Sequence, residues 1–341
     1  MRIAVIAPPW APVPPRLYGG IETVVDRLAL GLQDAGHDVV LFTTGDSTCA
    51  VPRQSFLPVA QGWRIGMSVP ELLHVSAAYE AIHQQGFDVV HDHTVLGPFF
   101  AHRYPDVAAV VTAHNPLEGE WTQLFTRIAR EVPVIAISEA QIAAVPQIKA
   151  AKVIHHGVDA ADFPVGAGDG SFVFLGRMSP DKGAHSAMEA AYKAGVKLTL
   201  AGKMRERSEY EYFEQYVQPY LNENLVYAGE VPHEEKLELL AGAPALLFPI
   251  QWNEPFGMVM IEAMACGTPV IAFAQGAVPE VVDDGVTGIL CNDVDDMVDA
   301  IGRVETIDRR ACRTAVEGYF STRRMVAEHV ELYEELLALR G

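Results

Sequence analysis

One local pattern is written twice in this chain, and it restricts the fold more than any other feature. The first copy is RIAVIAP (2–8), a loop ending in LYGGIE (17–22), an amphipathic segment carrying Val24, Val25, Leu28 and Leu32, then Gly36 and the run DVVLFTT (38–44). The second is SFVFLGR (171–177), the loop MSPDKG, the segment AHSAMEAAYKA (184–194), then Gly195 and VKLTLAG (196–202). Each copy reads as a short buried strand, a helix of period 3.6 and a second strand, the opening of a βαβ unit. Further apolar runs at FDVVH (87–91), AAVVTAH (108–114), PVIAIS (133–138), LVYAG (225–229), PALLFPI (244–250) and TPVIAF (268–273) alternate with helical patterns, as parallel sheets require. The spacing predicts an α/β chain of two Rossmann-like domains with parallel sheets facing each other across a cleft. Glycine clusters without periodicity at PVGAGDG (164–170), which places the junction there: an N-terminal domain over 1–165 and a C-terminal domain over 166–319. The last segment, about 320–341 and containing TRRMVAEHVELYEELLAL, is a long helical pattern able to cap either domain.

Composition agrees and excludes several classes. The chain has 341 residues, half of them hydrophobic, enough for two well-buried cores. A formal charge of −19 argues against an electrostatic grip on nucleic acid or on anionic membranes. Cys49, Cys266, Cys291 and Cys312 are widely spaced and form no CxxC pair, which suits reduced thiols and a cytoplasmic location. MRIAVIAPPW has too short an apolar run for a signal peptide, and no stretch is long enough to span a bilayer. No stable membrane insertion is expected.

The stretch WNEPFGMVMIEAMACGTPVIAF (252–273) keeps two carboxylates in apolar company. It follows the PALLFPI strand, so it reads as loop, helix over Gly257–Cys266, a helix-ending Gly267, and a further strand. Ligands of open parallel sheets bind at the carboxyl ends of strands, where the next helix offers free N–H groups to an anion. Glu254 falls in that loop, and Glu262 about a turn and a half into the helix. Charged residues are mostly exposed, so two surface glutamates are the plain alternative.

In GRMSPDKG, Arg177 follows a strand and Lys182 stands at a helix start, so both can point into one crevice and offer a diphosphate two cations. A solvated turn is the alternative. Lys182 is not followed by Ser or Thr, so this is no Walker A loop; nor does GxGxxG follow either opening strand, which counts against a nicotinamide or flavin enzyme. In the first half, the proline-rich loop ends in Gly19 and Gly20, where backbone can approach a phosphate or sugar closely, or simply enter a helix. His114 and Asn115 close the strand AAVVTAH at its ligand edge. His91, Asp92 and His93 close FDVV, where the His-x-His spacing suits a metal or loop packing. His155 and His156 are equally open.

Taken together, GGIE, TAHN, AISE, HHGVD, GRMSPDKG, EPFGMVMIEAMACGTPVI and GAVPEVV resemble the family 4 retaining glycosyltransferases of the GT-B fold, with Glu254 and Glu262 as the family's E-x7-E pattern. The resemblance covers essentially the whole chain. It implies that Glu254 meets hydroxyls of a donor sugar and Glu262 those of a nucleotide ribose, and that Arg177 and Lys182 hold the diphosphate. It also implies that Gly19 and Gly20 line the phosphate, that His114 faces the sugar near the reacting carbon, and that Phe256, Gly257, Met258 and Val259 complete the anion site. The resemblance further implies acceptor contacts at His93 and Asn115 and a final helix that crosses back onto the first, acceptor-side domain. The expected reaction moves a sugar from a UDP- or GDP-sugar to a hydroxyl of a small-molecule, glycan or lipid-linked acceptor, with retention, with no metal or other cofactor and with no nucleic-acid partner. Alternatives are an epimerase or phosphorylase on the same fold, a non-catalytic sugar-nucleotide binder, and a metal hydrolase built on HDH. His156-Gly157-Val158-Asp159 stands where many relatives have Asn-Gly-Val-Asp, and the chain is short for the family.

Overall fold

The computed structural model describes residues 1–17 and 19–340; Tyr18 of the LYGGIE loop and Gly341, the last residue of the expected final segment, lie outside the described residues. The chain divides into two compact units, one of Met1–His156 with Thr322–Gly341, the other of Gly157–Ser321. Each is built on one parallel sheet.

In unit 1 the strands are β1 (Arg2–Ile6), β2 (Asp38–Thr43), β3 (Arg53–Ser55), β4 (Val89–Asp92), β5 (Ala108–Thr112), β6 (Val134–Ala136) and β7 (Lys152–Val153), in the order β3-β2-β1-β4-β5-β6-β7. Ile3 lies opposite Val39 on one side and Val89 on the other. Unit 2 repeats the plan with β8 (Phe172–Leu175), β9 (Leu198–Ala201), β10 (Leu225–Tyr227), β11 (Leu246–Phe248), β12 (Val270–Phe273) and β13 (Gly288–Cys291), in the order β10-β9-β8-β11-β12-β13. Every residue of β4, β5, β8 and β12 is buried, which is why the sequence shows unbroken apolar runs there rather than alternation: helices cover both faces.

β3, β7 and β13 are additions to the expected strands. The first two are edge strands of two or three residues with half-exposed side chains, too short and too polar to leave a periodic signal. The unit boundary also differs from the expected one. It falls between His156 and Gly157, nine residues before the expected 165/166 junction, and unit 2 runs two residues past the expected end at 319. The glycines of PVGAGDG are not a linker. A Cβ on Gly166 would stand 2.0 Å from the Ala241 carbonyl oxygen, and one on Gly170 would stand 2.9 Å from that of Gly242. Gly170 N–H donates to Gly242 O at 2.8 Å, and Arg309 reaches the Gly166 and Ala243 carbonyls, so this segment is packed into unit 2. Glycine is there for close approach rather than for freedom.

The final helix, Thr322–Ala338, belongs to unit 1. It lies against the first helix, Gly20–Asp34, at Gly31, where a Cβ would fall 2.5 Å from Val326 Cγ2. Tyr333 from the same helix is fully buried and meets His91, and Glu331 pairs with Lys152. Among the described residues no helix is long and apolar enough to cross a membrane.

Gly31 yields a testable conflict. Alanine would favour the helix by about 1 kcal/mol, but overpacking against Val326 costs about 1–3 kcal/mol. Gly31→Ala should therefore lower the thermal midpoint, and in a Val326→Ala background the same change should be neutral or stabilising. Additive effects in that double-mutant cycle would show that the two side chains do not meet.

Candidate functional site

The chain order of unit 2 reverses between β8 and β11: from β8 it runs outward through β9 and β10, then returns to add β11, β12 and β13 on the other side. Loops leaving the carboxyl ends of β8 and β11 part there and open a crevice. Arg177 and Lys182 follow β8, and Glu254 follows β11. The two loops are tied together. Gln251 N–H donates to Asp181 O at 2.8 Å, and Gly183, at φ +74°, presses against Pro249, whose carbonyl oxygen would stand 2.1 Å from any Cβ.

Lys182 Nζ lies 2.5 Å from Glu254 Oε2, with both side chains about 11% exposed. Trp252 Nε1–H donates to the same oxygen at 2.9 Å, and its ring sits 4.7 Å from the ammonium. The other oxygen, Oε1, takes no hydrogen bond from any described residue. A buried carboxylate thus has one oxygen saturated and one open. Gly276, at φ +57°, holds the loop from behind: a Cβ there would stand 2.4 Å from Glu254 N, and Ala277 N–H donates to Glu254 O at 2.9 Å.

Gly257, at φ +85°, starts the helix Met258–Ala265, Cys266 caps it and Gly267, at φ +73°, follows. The first-turn amides of Met258 and Val259 have no carbonyl inside the helix, and no acidic side chain stands in that turn. Phe256, 2% exposed, packs edge-on to Phe320. Glu262, the fifth helix residue, is buried and pairs with Lys236 Nζ at 2.7 Å. The two glutamates are therefore not surface residues, and each has its own lysine.

Arg177, like Lys182, is paired with carboxylates. Its guanidinium meets Asp181 at 3.1 Å and Glu209 at 3.4 Å. Glu209 also accepts the Arg205 and Glu206 N–H groups, which fixes its position. Asp181 lies between Arg177 and Lys182 in sequence, so this short loop carries its own counter-charge.

In unit 1, Gly19 precedes the first helix in an extended conformation, and a Cβ would meet Pro15 Cβ at 2.6 Å and Glu22 Oε2 at 3.0 Å. Gly20 has open space where a Cβ would be. Gly19 is thus demanded by the proline-rich loop itself, Gly20 is not. His114 follows β5, and its Nε2 lies 2.9 Å from Nδ1 of His93, which follows β4. Asn115 is held through its backbone, its carbonyl accepting from Gln141 Nε2 at 2.8 Å.

His91 and Asp92 lie within β4 rather than in a loop. Their polar atoms, and Nδ1 of His93, meet protein groups: His91 meets Tyr333 and Thr112, Asp92 accepts from Tyr79 and from Thr94 N–H, and His93 Nδ1 meets His114. His156 stacks on His114 with ring centres 5.5 Å apart, and His329 lies 5.1 Å from His91. Burial, reinforced by mutual repulsion among the rings, pushes His91, His93 and His156 well below the ordinary imidazole value and His114 to about 3; burial first, then the charges of Arg324 and Lys152, lower His329 to about 4. The cluster is uncharged near neutral pH.

Residues 18–162 match the glycosyltransferase family 4 model, and residues 160–317 match that of glycosyl transferases group 1. The chain belongs to the family 4 glycosyltransferases. The D-inositol 3-phosphate glycosyltransferase of Mycolicibacterium smegmatis is 27% identical, over 85% of this chain and 79% of that protein. AviGT4, a glycosyltransferase involved in avilamycin A biosynthesis, superposes with a TM-score of 0.73 and 26% identity over 99% of this chain and 98% of its own. HepE of Anabaena, solved in complex with UDP and glucose, superposes with a TM-score of 0.78 over 98% of this chain and 99% of its own; at 20% identity this is a likeness of fold. The two parallel sheets with their intervening helices are the GT-B fold.

In this glycosyltransferase, Trp252, Lys236, Gln141 and Gly276 carry parts of the arrangement that the residue patterns did not single out. Trp252 sits two residues before Glu254, the one signal available; Lys236 and Gln141 act across helix–helix and loop–helix contacts that leave no local trace.

The histidines set a pH dependence. A histidine whose folded value lies below its unfolded value of 6.5 contributes stability that is fully present above pH 6.5 and is lost as pH falls toward the folded value. His74, lowered to about 4, and His37 and His185, also lowered chiefly by burial, add to the five of the cluster. Asp92, raised to about 7, with Glu71 and Asp26, also raised, act oppositely: their contribution is present at acid pH and is lost as pH rises through the folded value. Between about pH 4.5 and 6.5 eight histidines oppose three carboxyls, each group sloping by up to about 1.4 kcal/mol per pH unit. Calorimetric melting should therefore show a falling midpoint from pH 7 to pH 5; a flat or rising one would mean that the imidazoles are not held neutral.

Proposed function

We propose that this glycosyltransferase takes a sugar from a nucleoside diphosphate donor, UDP- or GDP-linked, and transfers it to an acceptor hydroxyl with retention and without a metal ion. The observation that carries the reading is the Glu254 carboxylate, fixed on one oxygen by Lys182 and Trp252 and open on the other, beside the amide end of the helix Met258–Ala265. The open oxygen suits a sugar hydroxyl. Lys182, held at 2.5 Å from that carboxylate, and the Met258 and Val259 amides suit the diphosphate, with Phe256 and Gly257 leading into that helix and Arg177 and Glu262 completing the donor set toward phosphate and ribose. HepE, solved with UDP and glucose, supports the donor class. The roles given to Gly19, Gly20, His93, His114 and Asn115 are part of the same proposal, and buried free thiols at Cys49, Cys266, Cys291 and Cys312 support a reducing, cytoplasmic compartment.

Charge flow gives the mechanism. As the bond from the anomeric carbon to phosphate lengthens, negative charge collects on the leaving diphosphate. Lys182, Arg177 and the helix amides are aimed at that charge, each essential donor being worth about 3–4 kcal/mol in a site shielded from water. They take the part that a metal ion plays elsewhere. Binding of a diphosphate draws Arg177 away from Asp181 and Glu209 and leaves Lys182 bridging phosphate and Glu254. Glu254 Oε2 is committed to Lys182 and Trp252 and Oε1 is given to a sugar hydroxyl, so neither oxygen is assigned to covalent attack on the anomeric carbon. Attack on the same face, with the leaving phosphate taking the acceptor's proton, follows.

The test joins binding and turnover. Calorimetric titration with UDP, GDP, ADP and dTDP should show micromolar preference for one diphosphate, unchanged by magnesium or chelator. Arg177→Ala and Lys182→Ala should each lower turnover at least about tenfold while the circular dichroism spectrum is kept. Normal turnover in both variants would remove the phosphate-site assignment, and chelator-sensitive turnover would remove metal independence.

A further inference from the structure

His93 and His114 extend from the carboxyl ends of the neighbouring strands β4 and β5, and their rings are joined by one hydrogen bond of 2.9 Å between His93 Nδ1 and His114 Nε2. One of these two nitrogens must carry the proton and the other the lone pair. The rest of His93 decides which. The residue is 4% exposed, and its Nε2 is buried with no hydrogen-bond partner among the described residues. The ring beneath it, His91 at 4.1 Å, has both nitrogens engaged by Tyr333 and Thr112 and offers none to His93. Were His114 the donor, the proton of neutral His93 would sit on Nε2, an N–H sealed away without an acceptor. Were His93 the donor, its Nε2 would be a bare lone pair. Buried orphan N–H groups are the rarer and less tolerated of the two.

We propose that His93 is a positioning residue: it donates Nδ1–H to His114 Nε2 and holds His114 in the Nδ1–H tautomer, ready to donate from Nδ1 to an oxygen of the donor sugar. His114 Nδ1 has no partner among the described residues. The His156 ring, stacked at 25° and 5.5 Å, fixes the plane of His114. His93 sets which nitrogen donates, His156 which way it faces. A free imidazole in water favours the other tautomer, so the state of His114 is a direct readout of its neighbour. The proposal rests on the reading that His114 faces the donor sugar, and it changes the part of His93 from acceptor contact to support of His114.

The test is two-bond 1H–15N correlation spectroscopy of the full chain labelled at histidine, at pH 7.5. Wild-type His114 should show the Nδ1–H pattern. His93→Leu should shift it toward Nε2–H, and His93→Asn, whose side-chain N–H stands near the original Nδ1, should keep it. In turnover assays His93→Leu should lower kcat by about tenfold or more with diphosphate affinity unchanged, and His93→Asn should restore most of it. An Nε2–H pattern in the wild type, or an unaltered pattern in His93→Leu, would overturn the proposal. If His114→Ala leaves turnover intact, the sugar-facing reading fails, while the tautomer measurement still decides what His93 does.

Discussion

A parallel strand cannot be followed directly by its neighbour; the chain must first return to the starting end of the sheet, and a helix is the compact way to do it. Everything else in this molecule follows from that constraint. Crossovers put helices on both faces, so the central strands are buried throughout. They also force the order to reverse once in unit 2, between β8 and β11, and the loops that part there carry Arg177, Lys182 and Glu254. The site is a by-product of the winding, furnished afterwards with charge.

How that charge is handled is particular to this chain. Lys182 with Glu254, Lys236 with Glu262, and Arg177 with Asp181 and Glu209 leave each of these three cations with a carboxylate in reach. Removing one member of a buried pair strands the other at about 3–5 kcal/mol. Each buried charge is therefore compensated within the fold itself. Unit 1 takes the opposite approach, collecting imidazoles that burial keeps neutral.

What could be read in advance follows the same division. Central strands and the helix after Gly257 were legible because apolar runs, glycine stops and positive-φ turns are local. β3 and β7 were not, because the pairing partner rather than the sequence makes an edge strand of two or three residues. PVGAGDG was misread because glycine marks both freedom and close approach, and only Ala241 and Gly242 across the gap say which. Glu254 and Glu262 were legible as a pair, but Lys236 and Trp252 were not, since those contacts are made by folding. The His93–His114 bond joins residues twenty-one apart on adjacent strands, and no periodicity announces it.

The placement of the last helix bears on how the chain is made. Unit 2 is one uninterrupted stretch, Gly157–Ser321, whereas unit 1 is assembled from Met1–His156 and Thr322–Gly341. On the ribosome, the groove at Gly31, the ring of His91 and the ammonium of Lys152 wait without Val326, Tyr333 and Glu331 until the helix Thr322–Ala338 has been translated. Domains generally fold as units during synthesis. Here the unit translated first is the one closed last, and its exposed apolar seam is open for the whole time its successor takes to emerge.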